Sequence, residues 1–208
     1  MKRFTQICLL MTALCLALTV HAQEKSRPKV VVLPFQNKAD NPWLKSEAGN
    51  AWWWHGGAEA MQDVFVTELV KKNKRINVMN RKALEAAAAT QQLTLSGDVD
   101  PVTAMKLGKL LGVNYLLTGA VTEYGVTEKS SASRKNLAMT LQAKLIDTST
   151  GEIVWTDQVR HVEQVSVGGF GGGVDDERIF KKAARPCVKR LIAKWRASKF
   201  FDIFVGDE

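Results

Sequence analysis

The chain has 208 residues, 46% of them hydrophobic and 24% charged, with three cysteines and a formal net charge of +8. These proportions exclude collagen-like, wholly disordered and disulfide-dense scaffolds, and they speak against a polytopic helical membrane protein. They suit one domain with appendages and a basic surface, whose partner composition alone does not name.

Lys2 and Arg3 precede an apolar run, Ile7 to Val20, that is shorter than the roughly 20 residues of a spanning helix. Val20-His21-Ala22 follows at the positions a signal peptidase reads, so residues 1–22 are expected to be a secretory signal cleaved before Gln23. An uncleaved anchor is the alternative. Cleavage leaves residues 23–208 and removes Cys8 and Cys15, so Cys187 stays without an intramolecular partner. Leu14 before Cys15 and Gln23 after the cleavage point argue against a lipoprotein.

Val30-Val31-Val32-Leu33 is a continuous apolar run ending at Pro34, the pattern of a strand buried on both faces. Gln36 to Trp54 reads as a long loop. A helix is expected from Ala58 to Lys72, with Ala58, Met61, Phe65 and Leu69 on one face. Ile76 to Met79 reads as a short strand, and Arg81 to Gln91 as an alanine-rich helix anchored by Leu84. Asp100 and Pro101 mark the cap and first position of a helix that stops at Gly112. Tyr115–Thr127, the alternating stretch around Leu137 to Leu145, and Ile153–Val167 then form an antiparallel meander. A last helix, about Asp175 to Lys199, buries Phe180, Ala183, Ala184, Cys187, Leu191 and Trp195, and Pro186 should kink it. The expected fold class is α/β: a mixed sheet with an antiparallel meander, packed against several helices.

Little in the chain suggests catalysis. The glycine-rich segment Gly168 to Gly173 lacks the Gly-Lys-Ser/Thr ending of a phosphate-binding loop, so it reads as a linker. His55, His161 and Cys187 show no zinc spacing, no Gly-x-Ser-x-Gly elbow occurs, and Asp175-Asp176-Glu177 suits a helix start. No catalytic residue, cofactor or metal is therefore expected. An enzyme acting on envelope polymers is the rival, and it would depend on His55 or His161. Cys187 reads as a buried structural thiol.

Two features suit partners. Trp52, Trp53 and Trp54 are adjacent in a glycine-flanked segment, which either folds back over the core or forms a docking patch. From Arg178 to Lys199 there are nine Lys/Arg and no acid. That run reads either as a solvated helix face or as a contact with an anionic membrane surface or acidic protein, with Arg185, Lys189 and Lys194 as candidates. No nucleic-acid motif is present.

Several segments in order resemble the CsgG family, the curli production assembly/transport component. They are Val30 to Phe35, Arg75-Ile-Asn-Val-Met-Asn-Arg81, Leu84 and Gln91, Ser96 to Pro101, Leu110 to Val121, and Leu145 to Ile153. The likeness spans about residues 28–197, which makes 23–208 one CsgG-like domain with a tail from 198. The resemblance implies a periplasmic, outer-membrane-associated, non-enzymatic protein in export or assembly of curli-like surface material. It also implies envelope or secreted protein partners and self-association. The family's founding member is a lipoprotein that forms an oligomeric outer-membrane pore, each subunit giving two β-hairpins to the barrel. This chain departs in lacking the acylated cysteine, in the short polar stretch between Tyr124 and Leu137, and in Asp157, Arg160, His161 and Glu163 after Ile153. The alternatives are a secretion-channel subunit and a periplasmic protein-binding regulator like the penicillin-binding protein activators.

Overall fold

Six strands join in one mixed sheet in the computed structural model of the chain, which describes residues 27–39, 57–90, 99–127, 134–166 and 176–205. The expected signal segment, Trp52 to Trp54, His55, the 168–173 glycine segment and Asp175 lie outside those residues. The elements in chain order are β1 Lys29–Val32, β2 Gln36–Asn37, α1 Ala58–Lys72, β3 Asn77–Val78, α2 Arg81–Thr90, α3 Pro101–Leu111, β4 Tyr115–Val126, β5 Arg134–Asp147, β6 Ile153–Ser166, α4 Asp176–Arg196 and α5 Lys199–Val205.

The sheet order is β3-β1-β4-β5-β6, with β2 continuing beside β4 where β1 ends. β1 pairs in parallel with both β3 and β4, and β4, β5 and β6 form the antiparallel meander. The apolar run of β1 is buried on both faces. Val30 and Val32 belong to one core with Met61, Phe65 and Leu69 of α1 and the Phe180–Trp195 stripe of α4. Val31 and Leu33 meet Leu84 of α2 with Ala104 and Leu107 of α3. Leu84, the one large apolar residue of its helix, is fully buried.

Local chemistry sets several ends. The Asp100 carboxylate accepts the Thr103 N–H at 3.0 Å and caps α3, and Gly112 ends it in the left-handed region at φ 59°. The carbonyl of Val32 lies beyond the reach of β3, and the buried Gln62 amide donates to it at 2.6 Å.

The structure corrects three boundaries. Gln36–Asn37 is a strand, because leaving Pro34 the chain runs alongside β4 and the Lys38 N–H reaches the Val121 carbonyl at 2.8 Å. The second parallel strand shrinks to Asn77–Val78, with the Asn77 N–H donating to the Pro28 carbonyl and the Met79 N–H, just past the strand, to that of Val30. The final helix is two helices. Ser198 takes the Trp195 carbonyl through both its N–H (3.0 Å) and its hydroxyl (2.6 Å), which turns the chain so that Phe201 meets the Trp195 ring edge-on at 5.6 Å. Pro186 lies inside α4, which continues through it.

Candidate interaction surface

α4 puts its apolar residues on the sheet and its cations outward, and the structure shows where the cations go. Phe180, Ala183, Ala184, Cys187, Leu191 and Trp195 are all buried, as their spacing required. Cys187 donates weakly to the Met139 carbonyl at 3.6 Å, and burial pushes its thiol up to about 11, so it is un-ionised at neutral pH.

Most of the cations near β6 and α1 are held within the fold. Arg185 lies 3.4 Å from the carboxylate of Glu68, whose side chain is only 4% exposed between α1 and α4. Lys181 pairs with Glu177 one turn away. Lys182 lies 3.3 Å from Glu163 and donates to the Gln164 carbonyl at 3.1 Å. Lys194 repeats the arrangement, 2.6 Å from Asp157 and 3.3 Å from the Gln158 carbonyl. Of the three cations expected to face a partner, Arg185 and Lys194 thus have acids of their own, while Lys189 is exposed with no described partner.

The two lysines on the β6 side share one design. Each ammonium bridges a carboxylate and a backbone carbonyl of the same strand. Burial opposes ionisation of Asp157, yet Lys194 and the Gln158 N–H outweigh it and hold the carboxyl below its usual range. Burial likewise opposes ionisation of Glu163, and hydrogen bonds from His161 and Lys182 outweigh it. His161 Nε2 lies 3.2 Å from Glu163, so this histidine adjoins the Lys182–Glu163 ion pair.

The opposite face of the meander is polar. Arg160 of β6 reaches across β5 and binds Glu123 of β4 through both Nε and Nη2 at 2.8 Å, and Thr140 between them donates its hydroxyl to the same carboxylate. The Arg160 hydrogen bonds, against a smaller effect of burial and with help from Thr140, hold the Glu123 carboxyl low. Gln142, Thr156, Gln158 and Gln164 are exposed around this strap.

Sequence reasoning found the basic helix but missed its partners on β6. A signal existed. Lys182 and Lys194 are twelve residues apart, about 18 Å along a helix. Asp157 and Glu163 are six apart, about 20 Å along a strand and on one face of it. Those lengths match. Among the described residues no group of three or more His, Cys, Asp or Glu is placed to hold a metal ion. No helix of the described residues is long and apolar enough to cross a membrane.

Comparison with known proteins gives a family and a set of similar folds. The sequence model of one family, described as curli production assembly/transport component CsgG, matches residues 12–198. No curated protein sequence is similar enough to count as a match. Similar solved structures include lipoprotein GNA1162 from Neisseria meningitidis, at 17% identity and TM-score 0.47, over 82% of this chain and 99% of that one. The C-terminal domain of LpoB from Salmonella enterica is similar at 17% identity and TM-score 0.41, over 65% of this chain and 83% of that one. The PelC dodecamer from Paraburkholderia phytofirmans is similar at 16% identity and TM-score 0.41, over 86% of this chain and 93% of that one.

Proposed function

Since the chain belongs to the CsgG family of curli production assembly/transport components, we propose that it works without catalysis at the cell envelope, in assembly or export of curli-like surface material. The family match over residues 12–198 is the observation that carries this reading. The described titratable groups fit it. Glu123, Asp157, Glu163 and Glu68 are engaged in ion pairs that tie strands to strands and helices to strands or to each other.

In this reading the protein is exported to the periplasm by residues 1–22, cleaved after Ala22, and binds envelope or secreted proteins. Trp52, Trp53 and Trp54 form a docking patch, and Lys189 adds a cation that the described fold leaves unengaged. The channel-subunit alternative draws less support from the described strands. A membrane strand needs an apolar outward face, and the face of β5 and β6 away from α4 exposes Gln142, Thr156, Gln158, Arg160 and Gln164, with Val162 among them.

Cell fractionation joined to gene deletion tests the reading. The mature protein should leave with the periplasm on osmotic shock, and deletion should reduce surface fibres or alter the envelope. Protein retained in the cytoplasm, or a deletion strain with wild-type surface material, overturns it.

A further inference from the structure

The outer edge of β6 is a long stretch of backbone with no described strand beside it. Its orientation follows from the register. The Asn136 carbonyl accepts the Thr127 N–H, and the Thr140 carbonyl accepts the Thr122 hydroxyl, so even-numbered residues of β5 face β4. Odd-numbered residues of β5 therefore bond β6, and the register joins them to its odd-numbered residues, as in Met139 with His161 and Ala143 with Asp157. Gln158, Arg160, Val162 and Gln164 then turn their N–H and C=O groups outward. The lysines agree with this, since Lys194 takes the Gln158 carbonyl and Lys182 the Gln164 carbonyl.

An unpaired edge is a template for another strand, and lysines are a common guard on such edges. Among the described residues the guard stands at two points. Arg160 and Val162, between them, present outward backbone groups, and Val162 is 41% exposed. The α4 side of the opening is basic: Lys182 and Lys194 stand over the edge, and Arg190 lies one turn before Lys194 in the sequence. A strand laid here sends alternate side chains toward the lysines, whose ammonium groups have a third N–H each to give to carboxylates on those side chains while keeping Glu163 and Asp157.

We propose that the outer edge of β6, from Gln158 to Gln164, is a strand-addition site for an extended acidic peptide segment, gated by Lys182 and Lys194. It deepens the protein-binding reading above and rests on it. Main-chain hydrogen bonds at Arg160 and Val162 hold the segment, and its acids select it over neutral or basic sequences.

The probe is a synthetic peptide, Thr-Glu-Val-Glu-Thr-Glu-Val with blocked ends, added to the purified protein. Amide hydrogen exchange at Arg160 and Val162 should slow at least tenfold. A peptide N-methylated at alternate residues, which loses one row of donors, should give no such protection, and a lysine-for-glutamate peptide should bind at least tenfold more weakly. Val162→Pro removes an outward N–H and no bond to β5, so its melting should stay near wild type while binding falls at least tenfold. Equal protection by the N-methylated peptide, or no protection by either, overturns the proposal. Equal binding of the lysine peptide removes the acidic partner. If Val162→Pro fails to fold, the N-methyl comparison on wild type decides alone. A failed peptide alongside a clear deletion phenotype sinks the edge site and leaves the envelope reading standing.

Discussion

Replacing Gly119 with alanine should be among the most damaging single-methyl changes in the sheet. Gly119 lies in β4 opposite Ala143 of β5, and the Phe35 ring passes over it to stack on Phe65 at 5.1 Å. A Cβ built there falls 2.1 Å from the Gln142 carbonyl oxygen and 2.5 Å from Phe35 Cε1. A carbon and a carbonyl oxygen rest at about 3.3 Å or more, so β5 would have to withdraw by about 1 Å. That stretches neighbouring ladder bonds from about 2.9 Å to about 3.9 Å, beyond hydrogen bonding. Two such bonds at about 1 kcal/mol each and a displaced ring at about 1–2 kcal/mol give a loss of about 3–4 kcal/mol. For a chain of this size the melting temperature should fall by about 10 °C. Urea and thermal melts of Gly119→Ala beside wild type measure it. The double variant with Phe35→Ala should not recover, because the Gln142 oxygen remains. A single variant melting within about 2 °C of wild type, or a double that recovers, refutes this account of the site.

Acid stability should follow Glu123, Asp157 and Glu163, whose native carboxyls are all held low. Their contribution is present above the unfolded values, about 3.9 for Asp and 4.3 for Glu, and is lost as pH falls below these through the native values. The triple variant Glu123→Gln, Asp157→Asn, Glu163→Gln should lose about 1–2 kcal/mol at pH 7, small because each pair stays partly in water, and should show a shallower acid limb in urea melts. Arg185→Met leaves the Glu68 carboxylate, among the described cations, with Lys71 alone, 3.9 Å away, and should cost about 2 kcal/mol; adding Glu68→Gln should recover part of it. Native Cys187, with its thiol near 11, should react with an aromatic disulfide at pH 8 at least a hundredfold more slowly than in urea, and comparable rates would contradict its burial. If Trp52, Trp53 and Trp54 dock a partner, their triple alanine variant should melt near wild type and bind about 2 kcal/mol more weakly in co-purification from envelope extracts. A collapse of its melting temperature, at about 3–5 kcal/mol per core tryptophan, shows instead that they belong to the core.

Strong local signals made much of the fold legible. Val30 to Val32 read as a strand covered on both faces, and it is one. Asp100, Pro101 and Gly112 marked α3 to the residue because caps act through neighbouring backbone groups. The alternation of Leu137 to Leu145 gave β5 its buried face. What escaped depends on distant groups. Gln36 and Asn37 have no strand pattern of their own and are drawn into line by Ala120 and Val121. The turn at Ser198 arises from a hydroxyl competing for one carbonyl. Lys194 and Lys182 look like ordinary surface cations until the β6 edge lies beneath them.

The position of β1 bears on how the chain reaches this structure. The first described strand is an interior strand, and its neighbours lie far along the sequence: Lys29 pairs with Asn77 and Val30 with Tyr115, while the Lys29 N–H bonds to the Asn114 side chain 85 residues away. The meander needs only short turns, such as Asp147 to Glu152, and hairpins of that kind close in microseconds. A chain emerging amino end first must therefore hold the apolar run Val30 to Leu33 without its β4 neighbour until Tyr115 to Leu117 have arrived. Closure of the sheet waits on this long loop, whose entropy is spent before any contact repays it. Closure of the whole sheet should therefore finish with insertion of the earliest strand, after the meander has formed.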